Sequence, residues 1–119
     1  MTAAGFRRIA LAFDGVVESA HMGHPDFRVN GRVFATLKPD KQHAMVKLPP
    51  AEQAVFIRSH PDVFAPESGA WGRAGCTRVT LKIVDEEMLG EAMTLAWQST
   101  ANAPPPKTKP RASARKRKK

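Results

Sequence analysis

The chain opens on a helical hydrophobic period. Phe6, Ile9, Ala10 and Phe13 fall at i, i+3, i+4 and i+7, one face of a helix, while Arg7 and Arg8 point elsewhere. Asp14-Gly15 follows, with Gly15 available for the left-handed stop. The period then changes to two. Val16–Met22 reads as a short mixed strand, and Phe27–Val29 and Arg32–Leu37 read as a hairpin around Asn30-Gly31. Both residues of that turn tolerate the positive φ that a type I′ turn requires. Pro39-Asp40-Lys41 makes the next turn. His43–Leu48 returns as a strand, with Ala44, Val46 and Leu48 alternating against Met45 and Lys47. The simplest arrangement is four antiparallel strands in a row.

Pro49-Pro50 ends that sheet and starts a second helix, which carries Ala51, Ala54, Val55 and Arg58 along adjacent turns and stops at His60-Pro61. Residues 62–76 read as irregular, rich in Gly and Pro. Thr77–Val84 alternates β-branched and basic residues and predicts a strand, with Arg78, Thr80 and Lys82 on one face and Val79, Leu81 and Ile83 on the other. Asp85 caps a last helix whose first turn holds Glu86 and Glu87, favourable at the positive end of the helix dipole. Its apolar face is Met88, Leu89, Ala92, Met93, Ala96 and Trp97. No repeat or heptad pattern interrupts this order. The expected fold is α+β, a mainly antiparallel sheet packed by helices in two layers. From Asn102 the composition shifts to Pro, Lys, Arg, Ala, Ser and Thr, which has nothing to bury and predicts disorder. The expected organisation is one domain over residues 1–101 and a tail over 102–119.

Charge sharpens that division. The net charge of +8 suggests a basic protein. Yet Lys107, Lys109, Arg111, Arg115, Lys116, Arg117, Lys118 and Lys119 lie in the tail, which has no acid. The remaining 11 basic residues of the body are matched by its 11 acids. All the excess charge is on the tail. Eight cations on an extended segment, which could span ~25 Å, meet phosphates and release condensed counterions without a fixed geometry. The expected function is therefore non-sequence-specific nucleic-acid binding, DNA first, with a log–log salt slope approaching about −7 if every tail cation meets a phosphate. A solubilising tail is the plainer alternative. In the body, Arg28, Arg32, Lys47, Arg73, Arg78 and Lys82 lie on or beside the sheet and offer further phosphate contacts. Such a stripe is also what the solvated side of a half-buried strand looks like. Trp71, in a Gly-rich loop, could stack on a base or pin the loop to the core.

Several classes of chemistry find no support. His21, His24 and Asp26 are close in sequence, but a strand–turn context does not bring them to one face, and His24-Pro25 reads as shaping a turn, so no metal is expected. Cys76 lies near Arg73 and Arg78, which would lower a thiol pKa, yet no base can be assigned to it, and an inert core thiol is the expectation. There is no nucleophile–base pair, no phosphate-cradling Gly loop followed by Lys-Ser/Thr and no HExxH. The expectation is a protein without catalytic activity or cofactor. Without an apolar run of membrane-crossing length or a secretory signal, and with one cysteine, it is placed in a reducing cytoplasm.

Gly23-His24-Pro25-Asp26-Phe27-Arg28-Val29-Asn30-Gly31-Arg32-Val33-Phe34-Ala35 resembles the central signature of the MmcQ/YjbR family. His60-Pro61, Gly69-Ala70-Trp71-Gly72 leading into Thr77-Arg78-Val79, and a closing helix with Ala96-Trp97 agree with it. The resemblance covers about residues 4–100. It implies an α-β(3)-α-β(2)-α fold similar to that of secretion chaperones, and a DNA-binding role. One departure is Cys76, where the family often has a large aromatic after the glycine. The chaperone-like fold also raises an alternative function, a protein-interaction or dimerising module without direct contact to nucleic acid. A third reading is a small-molecule pocket lined by His24, Trp71 and Arg28.

Overall fold

The computed structural model describes residues 1–21 and 24–103. Met22 and the eight tail cations, Lys107, Lys109, Arg111, Arg115, Lys116, Arg117, Lys118 and Lys119, therefore lie outside the described residues. The order is α1 (Ala3–Leu11), β1 (Val16–His21), β2 (His24–Val29), β3 (Arg32–Leu37), β4 (His43–Lys47), α2 (Pro50–Ser59), β5 (Phe64–Pro66), α3 (Gly69–Arg73), β6 (Cys76–Thr80) and α4 (Glu86–Ala101). The strands form one antiparallel sheet in the order β1-β2-β3-β4-β6-β5. The α+β architecture is as expected, with four strands in the opening meander rather than the three implied by the family resemblance.

Register sorts the side chains onto two faces, because neighbours paired across a sheet point the same way. Phe27, Ala35, Val46 and Thr77 make one row, and Leu37, Ala44, Val79 and Phe64 a second; all eight are buried. These rows receive the helices. Phe6 of α1 meets Phe27 at 6.0 Å between ring centroids, Phe56 of α2 meets Phe64 edge-on at 5.2 Å, and Leu89, Ala92, Met93 and Ala96 of α4 fill the centre. A register shift between Phe27 and Arg28 accompanies burial of both Phe34 and Ala35, which strict alternation would have put on opposite faces.

The helix ends follow their local chemistry. Thr2 accepts the Gly5 N–H and Asp85 accepts the Met88 N–H, each replacing a partner the first turn lacks. Asn30 (φ 55°) and Gly31 (φ 77°) take the left-handed conformation expected of the hairpin. The Asn30 amide also donates to Ala101 O at 3.1 Å, so the turn caps the C-terminal end of α4. Trp97 stacks on Phe13 at 5.4 Å and donates its indole N–H to Asp14 O.

Four local expectations need correction. His24 and Pro25 do not form a turn; they belong to β2, paired with His21 and Ala20. The stripe of Ala51, Ala54, Val55 and Arg58 is exposed, whereas α2 buries Gln53 and packs Phe56 and Ile57 against the core. Residues 62–76 are not irregular throughout. Phe64 anchors an edge strand there, and Gly69–Arg73 form a short helix. Finally, the last strand ends at Thr80, not Val84. Ile83 and Val84 direct their N–H groups back to Thr80 O in a turn that buries both Leu81 and Val84, a three-residue spacing no strand allows. Lys82 therefore sits on a turn and does not continue the Arg78–Thr80 face, and Ile83 is exposed rather than core.

Candidate functional site

The other face of the sheet is free of α1 and α4. Its central row runs Ser19–Asp26–Thr36–Met45–Arg78–Ala65 across all six strands. Asp26 is buried on this face and Arg28, two residues on, grips it with two hydrogen bonds of 3.0 and 3.1 Å. The hydrogen bond first, and the carboxylate charge second, raise the Arg28 pKa above its usual value. Asp26 thus holds Arg28 in a fixed pose.

Over Thr36 and Met45 the face hollows into a groove of about 390 Å³. His24, Thr36 and Met45 line its sheet side, Cys76 contributes a buried thiol, and Lys38, Glu67 and Ser68 form a polar wall beside Trp71. Lys38 and Glu67 pair at 2.7 Å, cancelling each other's charge. Trp71, on α3, remains 74% exposed. His24 Nδ1 is buried without a hydrogen-bond partner, alone in this among the side-chain atoms of the described residues. Burial, the largest influence, raises the Cys76 pKa against the opposing charge of Lys47. The thiol therefore stays protonated near neutrality and is a poor nucleophile.

A close-packed support holds α3 in place. A Cβ on Gly72 would lie 1.8 Å from Glu67 O, and one on Gly75 would lie 1.9 Å from Leu48 O. Only glycine permits these approaches, and Gly75 also has φ 112°. Gln53, buried in α2, donates its amide to Gly72 O at 3.0 Å and Cys76 O at 3.2 Å. Thr77 Oγ1 donates to Gly75 O. Gln53 was not among the residues singled out from sequence; its one available signal was its three-residue spacing from Phe56 on the core side of α2.

The basic residues expected to bind phosphate do not form one cluster. Arg78 is exposed in the central row, Arg73 ends α3, and Lys82 lies on the turn after β6. Arg28 lies on the same face but does not line the groove, so the trio of His24, Trp71 and Arg28 is only partly assembled. Arg32 and Lys47 instead line a second recess, of about 180 Å³, with Leu48, Pro49, Thr100 and Ala103 among its other walls.

The model of the YjbR family matches residues 11–99. The chain belongs to the YjbR family. The crystal structure of Deinococcus radiodurans protein DR2400, described as a DUF419 domain, superposes with a TM-score of 0.73 at 20% identity. The match covers 86% of this chain and 80% of DR2400, and at that identity it shows a shared fold. No curated protein matches the chain. In this YjbR member the signature from His24 to Ala35 forms β2, the capping turn and most of β3, while the Gly69–Gly72 segment forms the helix that carries Trp71.

Proposed function

We propose that this YjbR-family protein binds nucleic acid, DNA first, without strong sequence preference. The tail supplies most of the affinity and the body orients the contact. The supporting observation is where the chain leaves the domain. Ala103 shares a recess with Arg32 and Lys47, and Ala74, which follows Arg73, lines it too. The eight cations that follow Ala103 in sequence are thus tethered beside cations of an otherwise neutral domain. A strand or duplex held by the tail meets that side of the body next, where Lys and Arg position the phosphate backbone but read no bases.

The test is a titration of duplex DNA, at two salt concentrations, with the full chain and a chain ending at Ala103. The full chain should show a log–log salt slope approaching about −7, and the shortened chain should lose at least tenfold in affinity. Equal affinity of both chains would refute the role of the tail. Failure of both to bind would favour the protein-interaction alternative.

A further inference from the structure

We infer that the groove beneath Trp71 is a binding site for a planar nitrogen heterocycle of nucleobase size, supplied either by a free nucleotide or by an unstacked base of a single strand. The inference deepens the nucleic-acid reading and rests on it for the second source only. Three observations carry it.

The first is the exposed indole. Trp71 is 74% exposed although α3 is held by two glycines at backbone contact distance and by the buried amide of Gln53. Packing that tight around a five-residue helix does not bury its largest side chain; it presents it at the edge of a cavity. An exposed aromatic ring beside a cavity is a stacking platform, which accepts any base through its π-face.

The second is the character of the groove. Its volume of about 390 Å³ is within the range for small-molecule sites, which run from ~300 Å³ upward. Met45 and Cys76 are soft and weakly polar, whereas His24 and Thr36 supply hydrogen-bonding edges. His24 Nδ1 is buried and unpartnered, so a turn of the imidazole that brings it into the groove would let a ring nitrogen or exocyclic amine satisfy it in either tautomer. Because Lys38 and Glu67 are paired, the groove offers no net charge to an anion. A neutral ring fits it; a phosphate does not.

The third is the place of an unpaired cation. Arg78 is one strand beyond Met45 in the same row, about 5 Å away by strand spacing. It is exposed and takes part in none of the ion pairs of the described residues. It stands outside the groove, where the phosphate of a nucleotide whose base lies inside would meet it.

The experiment compares the full chain with Trp71→Ala and Trp71→Phe. Probes are a mixed-sequence single-stranded 12-mer, its duplex and the four common ribonucleoside monophosphates, read by anisotropy and by tryptophan quenching. The single strand should quench Trp71 fluorescence. W71A should lower single-strand affinity about 5- to 150-fold, the range measured for loss of one stacked base. W71F should restore most of that loss, and duplex binding should change less than twofold; an unchanged urea midpoint by far-UV circular dichroism shows that the variants are folded. A monophosphate that quenches and competes identifies a free nucleotide as the ligand; quenching by the strand alone identifies an unstacked base. Single-strand affinity unchanged in W71A, with no quenching by any probe, overturns the proposal. A failure of the tail reading would appear instead in the salt slope and the chain ending at Ala103, neither of which Trp71 controls.

Discussion

Gly72→Ala tests how α3 is held, because propensity and packing predict opposite signs. Alanine in place of glycine inside a helix ordinarily stabilises by about 0.5–1 kcal/mol. At Gly72, however, the new Cβ would start 1.8 Å from the Glu67 carbonyl oxygen, a rigid backbone atom. Ordinary contact begins near 3.4 Å, so α3 and the Glu67 backbone must separate by roughly 1.5 Å, a shift of the kind that overpacking forces on a core. That displacement strains the Gln53 amide bond to Gly72 O (3.0 Å) and the Glu67 N–H bond to Cys76 O (2.9 Å). Two weakened hydrogen bonds cost about 1–3 kcal/mol together, and the overpacking adds about 1–3 kcal/mol. After the propensity gain, G72A should destabilise by about 1–5 kcal/mol. Gly90→Ala is the matched control: it lies inside α4, and nothing stands within 4 Å of its Cβ position. It should gain about 0.5–1 kcal/mol. Urea unfolding followed by far-UV circular dichroism measures both through the midpoint, provided the slope is unchanged. If G72A is as stable as wild type, or if the two substitutions shift the midpoint the same way, the packing argument is wrong.

Two further predictions concern the turns within the meander, between β2 and β3 and between β3 and β4. Asn30→Ala removes a residue suited to φ 55° and the amide that caps Ala101 O, and should cost about 1–3 kcal/mol by the same assay, whereas Asn30→Gly, which keeps the turn, should cost less. Asp40 has its pKa lowered from 3.8 to about 2, chiefly by the His43 side chain and then by the Gln42 N–H. Because the folded pKa lies below the unfolded one, its contribution is complete above about pH 4 and is lost as pH falls toward 2. Asp40→Asn should flatten that part of the stability–pH curve, and a curve parallel to wild type between pH 4 and 2 would contradict the assignment.

Most of the framework could be read along the chain because it depends on neighbours in sequence. The period of α1, the Asn30-Gly31 turn, the alternation of His43–Leu48 and the Asp85 cap are satisfied within a few residues, so local pattern and local structure agree. The count of charges on either side of Asn102 is likewise a property of composition, and the family signature depends on order and spacing. Those features sufficed for the α+β class and for the separation of a neutral body from a basic segment.

The candidate groove was not legible in that way. Its walls come from β2, β3, β4, α3 and the start of β6, joined only when the sheet orders β6 beside β4. Trp71 could be singled out, but neither of its two possible roles could be chosen, because the choice depends on which backbone Gly72 touches and where Gln53 sends its amide. Glutamine is usually exposed, so nothing in its type marks Gln53, and only tertiary packing encloses it with two carbonyls. The same holds for Arg28: sequence shows a cation on a strand, and only folding shows that Asp26 already holds it. Sequence determined the elements and the placement of charge, through interactions that act over one turn or one hairpin. The tertiary structure decided which polar groups are already satisfied and which remain open to a partner, because that depends on contacts between residues far apart in the chain.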